Sequence, residues 1–279
     1  MATAATQPEI GTALREWRRR RRRTQLELAL DAGISARHLS FVETGRSRPG
    51  RELMLRLLAE LDVPFREQNR LLLAGGHAPA FPERSLDDPE LAAVRDAVDV
   101  ILRSHEPYPA VALDRGWNVV AANAPMTAVL AHVEIEPSLL EPPVNALRAG
   151  LHPRGMAPLI MNLDDWRGYF LERLERQVAV SGDGELAALL EEVAAYPAPD
   201  GSPPGPIRRS GGELLGPLRL RAPWGAELAF LGMFAIFDTP FEVTASELAL
   251  ELLFPADAAT AEALHALARE NEPDQGGSR

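Results

Sequence analysis

The stretch Thr24–Pro49, TQLELALDAGISARHLSFVETGRSRP, decides how the N-terminal part of this chain folds. Thr24 followed by Glu27 has the spacing of a capping box, in which a hydroxyl and a carboxylate each satisfy a free N–H at a helix start. Leu26, Ala29 and Leu30 recur at intervals of three and four and predict the apolar face of that helix. Asp31-Ala32-Gly33 ends it, because glycine enters the left-handed conformation that closes a helix at little cost. Ile34 returns the chain to the core, and Ser35 is placed to cap a second helix. Leu39 and Val42 hold that helix down, leaving Ala36, Arg37, His38, Ser40 and Phe41 on or beside its outer face. Two short helices joined by a glycine turn, the second with a polar N-terminal face, form the arrangement that presents side chains to the major groove of DNA.

On that face Arg37 is the candidate for a bidentate contact to guanine O6 and N7, the commonest specific pairing; the alternative is a phosphate clamp. Gln25 and Ser35 suit phosphate contacts, which set register rather than read sequence. His38 is open between a backbone contact and plain surface. Phe41 reads as a packing residue and Glu43 as a hydrogen-bonding residue within the module.

Working outward, residues 1–8 read as a lead. Ile10–Arg22 predicts a helix with Leu14 and Trp17 facing inward. The six arginines Arg18–Arg23 wrap around a helix axis, so they cannot all face one way. Some are expected to meet phosphate; the bland alternative is a solvated helix end that suits cations. Arg51–Leu61 is amphipathic through Leu53, Leu57, Leu58 and Leu61. Phe65–Ala74 follows Pro64, and Gly75-Gly76 ends it.

Charge divides the chain. Residues 1–75 hold fourteen Arg against nine carboxylates, whereas the whole chain of 279 residues carries −11. A basic front on an acidic protein points to a nucleic-acid module joined to something else. Cysteine is absent and all 29 basic residues are Arg, which excludes disulfides, thiolate metal sites, a phosphate-loop lysine and a Schiff-base lysine. No apolar run reaches eighteen residues and no secretory signal pattern opens the chain, so a cytoplasmic protein without a membrane span is expected.

Beyond a Pro-punctuated stretch at 77–88, Pro89 opens a helix to about Ser104, striped by Val94, Val98, Ile101 and Leu102; it is open between a connector, a dimer helix and the first helix of the next domain. Tyr108–Leu113 and Trp117–Ala122 read as a hairpin around Asp114-Arg115-Gly116. Asn123 then caps a helix to about His132. Residues 145–156, 162–176 and 184–195 are helical in pattern, and 197–217 is a Pro/Gly/Ser-rich loop. Strands return at 218–223 and 227–239, the latter apolar enough to predict a central strand. Residues 246–254 fit a strand or a short helix, 256–268 a helix, and the end a polar tail.

Gln25, Ala29, Gly33, the run SARHLSFVE, Glu43-Thr44-Gly45 and Pro49 make the opening stretch similar to the Cro/C1 (XRE-type) helix-turn-helix family. Together with LLLAGGHAPAF at 71–81, PAVALDRGWNVVAANAPM at 109–126, NALRAGLHPRGMAP at 145–158 and NLDDWRGYFLERL at 162–174, the chain to about residue 196 resembles the MmyB-like transcriptional regulators. The resemblance implies a mainly α five-helix DNA-binding domain at 9–76, a linker and connector helix at 77–105, an α+β PAS-like ligand-binding domain at 106–270 and a tail at 271–279. It sets Arg46 and Arg48, beside Pro49, against the DNA backbone. It also implies double-stranded DNA as partner, a homodimer, and a small hydrophobic ligand, for example a fatty acid.

A pocket in such a domain would draw on Trp117, Met126, Leu151, Met156, Ile160, Trp166, Phe170, Phe230, Met233 and Phe234, each equally readable as core. His152 and Arg154 stand out as polar groups able to anchor an acidic head group. No cofactor motif is visible. The six histidines show no metal-binding spacing, and no nucleophile elbow or dinucleotide loop is present, so an enzyme is not expected. The alternative to a sensor is a DNA-binding regulator whose second domain only dimerises or binds a protein.

Overall fold

The computed structural model describes residues 10–203, 216–237 and 242–271; the expected lead, most of the 197–217 loop, the end of the 227–239 strand and the tail from 272 lie outside the described residues. The chain divides into two compact units, one built mainly on residues up to Arg84 and the other mainly on those from Ser85.

Five helices form the first unit: α1 (Ile10–Arg20), α2 (Gln25–Asp31), α3 (Ala36–Glu43), α4 (Arg51–Glu60) and α5 (Phe65–Ala74). Leu14, Trp17, Leu28, Leu39, Val42, Met54, Leu57 and Leu72 bury their side chains in one core. The capping box forms in both directions: Glu27 N–H donates to Thr24 Oγ1 at 3.2 Å, and Thr24 N–H donates to Glu27 Oε2 at 2.7 Å. Gly33 takes φ +68° behind α2, and Ser35 Oγ accepts from His38 N–H at 3.1 Å at the head of α3. Gly11 sits where α1 crosses the end of α3, and a Cβ there would lie 2.3 Å from the Val42 carbonyl oxygen, so only glycine permits the approach.

Two expectations need correction. The apolar face of α2 is Leu28, Ala29 and the adjoining Ala32, all at most 2% exposed, whereas Leu26 and Leu30 are 60% and 68% exposed. Leu26/Leu30 and Leu28/Ala32 have the same i,i+4 spacing, so periodicity in so short a helix does not choose between them. Helix α1 stops at Arg20 rather than Arg22, because Arg22 turns into the left-handed region at φ 54°.

The second unit begins with a short turn at Pro89–Leu91 and α6 (Ala92–Ser104), then β1 (Ala110–Leu113), β2 (Val119–Ala122), α7 (Ala124–Ala131), α8 (Ala146–Leu151), α9 (Leu163–Ser181), α10 (Gly184–Ala194), β3 (Leu218–Arg221), β4 (Glu227–Ile236), α11 (Val243–Ser246), β5 (Ala249–Pro255) and α12 (Ala258–Asn271). The strands make one antiparallel sheet in the order β2-β1-β5-β4-β3. Residues 246–254 therefore supply a strand, and it runs through the middle of the sheet. Alternation along the strands assigns two faces. Ala110, Ala112, Leu250 and Leu252 pack with Val98 and Leu102 of α6. Val111, Leu113 and Phe234 meet Trp117, α8, α9 and α10 on the other face. Buried Asn123 ties the parts together: its Oδ1 accepts from Ala110 and Met126 N–H at 2.9 and 3.1 Å, and its Nδ2 donates to the Leu102 and Tyr108 carbonyls at 3.1 and 2.8 Å.

Other details differ from the sequence reading. Trp117 lies in the turn rather than on β2, at φ 66°, because Asp114 accepts from the Trp117 and Asn118 amides and tightens the loop. The helix expected over 145–156 ends at Leu151; His152 is extended at ψ 139°, as a residue before proline prefers. Strand β4 has β5 on one side and β3 on the other, yet it leaves Leu231 and Met233 exposed on one face and Ile236 exposed at its end on the other.

Candidate functional site

In the first unit the cap on α3 turns its first residues outward. Ser35, Arg37, Arg46 and Arg48 are exposed; Gln25, His38, Ser40 and Phe41 are half-buried, and Ala36 packs partly on the core. Phe41 is more than packing. The Arg37 guanidinium lies 5.4 Å and that of Arg46 5.9 Å from its ring centroid, so one ring supports two cations. Sequence reading did not see this platform, although the Arg37/Phe41 spacing of four signals it.

The six-arginine run is mostly occupied within the unit. Arg18 grips Glu43 through Nε–Oε1 at 2.6 Å and Nη2–Oε2 at 2.9 Å. Arg21 donates to the Leu61 carbonyl at 2.7 Å, and Arg23 donates to the Glu60 carbonyl at 2.9 Å and pairs with Asp31. Arg20 lies over Trp17 at 5.2 Å. Arg19 and Arg22 are the members with no such contact among the described residues. Gln25, expected at a phosphate, donates its amide to Glu43 Oε2 at 2.8 Å. Glu43 thus joins α1, α2 and α3 with its side chain fully buried. Burial pushes its carboxyl up, but hydrogen bonds from Arg18 and Gln25 and the charges of Arg18 and Arg15 outweigh that and hold it below the usual range.

A folded-state value below the unfolded one of about 4.3 means that this stabilisation is present above that pH and is lost as pH falls through the folded value. Acid unfolding followed by circular dichroism should therefore show a flatter acid limb in Glu43→Gln than in wild type. An identical acid limb in the two proteins would show that Glu43 does not carry it.

The second unit holds a cavity of about 180 Å³ between the sheet and the helices α7, α8 and α9. Trp117, Met126 and Phe170 line it, as do Leu151, Met156, Ile160 and Phe230. Trp117 is fixed there by its Nε1–H, which donates to Gln177 Oε1 at 2.7 Å, and by edge contact with Phe170 at 5.8 Å. Five expected pocket residues do not line it. Trp166 is buried behind Phe170, 5.5 Å away, and Phe234 packs against Trp117 at 5.9 Å under the Arg173 guanidinium. His152 stands edge-on to Tyr196 at 4.9 Å, and Arg154 pairs with Glu136 at 2.9 Å on the exposed side. Both follow from the break at Pro153, which carries their side chains off the helix that faces the cavity. Met233 lies on the exposed face of β4.

The residue that sequence reading missed is Glu251 of β5. It is the one ionisable side chain in the lining among the described residues. Its exposed surface faces the cavity, and enclosure by protein pushes its pKa up to about 7 against the lowering effect of Arg173. The alternation in ALELLF held the signal, since Glu251 shares a face with Leu253, but the face that would point inward was not readable. Among the described residues no cluster of three or more metal-binding side chains occurs, and no helix is long and apolar enough to cross a membrane.

Comparison with known proteins agrees with both halves. Residues 14–68 match the helix-turn-helix family, and residues 94–267, more than half of the chain, match the MmyB-like transcription regulator ligand binding domain. Seventy-five residues are 42% identical to the uncharacterized HTH-type transcriptional regulator RghRB of Bacillus subtilis (strain 168), covering 26% of this chain and 52% of that protein. The chain thus spans about half the length of that curated relative. With a helix-turn-helix unit in front and that ligand-binding domain behind it, the chain belongs to the MmyB-like transcription regulators.

Proposed function

We propose that this regulator is a ligand-responsive transcription factor in which α3 reads an operator and the cavity of the second unit takes a small hydrophobic ligand. The observation that carries the reading is Arg37. It stands exposed at the N-terminal end of α3, steadied on Phe41, with no acidic partner among the described residues. A guanidinium so placed is preorganised for guanine. Ser35, Ala36, His38 and Ser40 complete the reading face, and Arg46, Arg48 and Gln25 position the backbone. Acting in the cytoplasm as a homodimer, the protein would set two copies of α3 on half-sites about 10 base pairs apart. The ligand acts by favouring one of two arrangements of the pair. The strand order β2-β1-β5-β4-β3 around an apolar cavity supports the PAS-like reading of the second unit. A fatty acid fits the lining with its chain, while its acid group would meet Glu251.

Arg37→Ala is expected to weaken operator binding by about 1–3 kcal/mol and to relax preference at one base pair. Selection of sites from randomised duplexes measures this, and a binding profile identical to wild type would remove Arg37 from base reading. Leu231 and Met233, exposed on one face of β4, and Phe254 paired with Leu231 on β5 favour a second reading, in which the second unit is a dimerisation or protein-interaction module. Native mass spectrometry separates the two: a small molecule retained by the purified protein supports the sensor, and an empty dimer with no affinity for small apolar probes supports the module.

A further inference from the structure

Glu251 is a carboxyl in the wrong place for a protein that needs only a solid core. Its cross-strand neighbours on the sheet are Val111 and Phe234, neither of which offers it a proton. Among the described residues no hydrogen-bond donor reaches its carboxyl, and the charged group acting on it is Arg173 of α9. Arg173 does not line the cavity; its guanidinium rests on the Phe234 ring at 3.9 Å and over Trp117 at 5.5 Å. Among the described residues, Glu251 is thus the one ionisable group of the lining, and its carboxyl has no hydrogen-bond partner. An unsatisfied acceptor in an apolar enclosure gains most from a donor that arrives with the ligand.

We propose that Glu251 anchors the head group of the ligand and that the cavity takes small alkyl amines and alcohols, which bring a hydrogen-bond donor, in preference to alkyl carboxylates. This rests on the reading of the cavity as a ligand site. An ammonium would pair with the ionised carboxyl, and a hydroxyl would donate to it in either state. A carboxylate would meet a like charge whenever Glu251 is ionised, and the Arg154 and His152 cations that could have held it lie elsewhere. With the Glu251 carboxyl poised near pH 7, the preference should turn with pH. Amine affinity rises as Glu251 loses its proton, and carboxylate affinity falls over the same interval.

The test is calorimetric titration of the full chain with octylamine, 1-octanol and octanoate at pH 6 and pH 8. Between the two pH values octylamine should gain about tenfold in affinity and octanoate should lose about tenfold. At pH 8 both donors should bind more tightly than octanoate. Glu251→Gln should level the pH dependence, weaken octylamine and strengthen octanoate at pH 8. The variant is expected to fold: the Glu251 pKa is raised on folding, so wild type loses this residue's contribution as pH rises through about 7, whereas glutamine stays neutral. Octanoate binding most tightly at pH 8, or a ranking untouched by Glu251→Gln, would overturn the anchor while leaving the cavity as a ligand site. Failure of all three probes to bind would overturn the cavity reading and the anchor with it.

Discussion

Glu43→Ala is expected to destabilise the helix-turn-helix unit by about 3–5 kcal/mol, the cost of removing one partner from a buried ion pair. The loss is large because the carboxylate is fully buried and answers several groups at once. Arg18, itself only 11% exposed, loses both its bonds at 2.6 and 2.9 Å, and Gln25 loses its acceptor at 2.8 Å. For a unit of this size each kcal/mol lowers the melting temperature by roughly 4–8 °C, so the first transition of the full chain should fall by more than about 12 °C. DNA affinity should fall with it, since Glu43 ends the helix that carries Arg37. Glu43→Gln keeps an acceptor for Arg18 and should recover part of the loss. Calorimetry of the two variants measures both effects; an alanine variant within 1 kcal/mol of wild type, roughly the worth of a surface pair, would show that the buried network contributes little.

Trp117→Ala should cost the second unit about 3–5 kcal/mol, as for other buried aromatic-to-alanine changes. The indole is 3% exposed, holds Gln177, and meets Phe170 and Phe234 edge-on. Its backbone adds a further condition. At φ 66° an L-residue pays about 1–2 kcal/mol that glycine does not. Trp117→Gly should therefore be no less stable than Trp117→Ala despite losing one more carbon. A glycine variant clearly below the alanine variant in denaturant unfolding would contradict the left-handed turn.

How far the site was legible follows the range of the interactions. The capping box at Thr24, the glycine stop at Gly33 and the Ser35 cap are local, and each forms as residue types and spacing dictate. The outward face of α3 is legible for the same reason, because Leu39 and Val42 leave Arg37 only one side to occupy. The buried face of α2 is not, since two sets of apolar residues share its spacing and packing against α3 chose Leu28 over Leu26 and Leu30. The arginine run shows the same limit. Composition says that it is basic, but only the fold turns Arg18, Arg21 and Arg23 inward onto Glu43 and the α4 carbonyls.

By itself, the sequence determined a five-helix basic module, an acidic second domain of mixed structure, and their family, because caps, turns and hydrophobic period act between residues a few positions apart. Only the tertiary structure decided what the cavity offers a ligand. His152 and Arg154, polar residues in an apolar stretch, turn away after a proline, and Glu251, one acid in an apolar strand, turns in. Which face of β5 looks inward is settled by its pairing with β1 and β4, strands more than a hundred and about twenty residues away. Alternation along a strand carries the period of its side chains and not the choice of face.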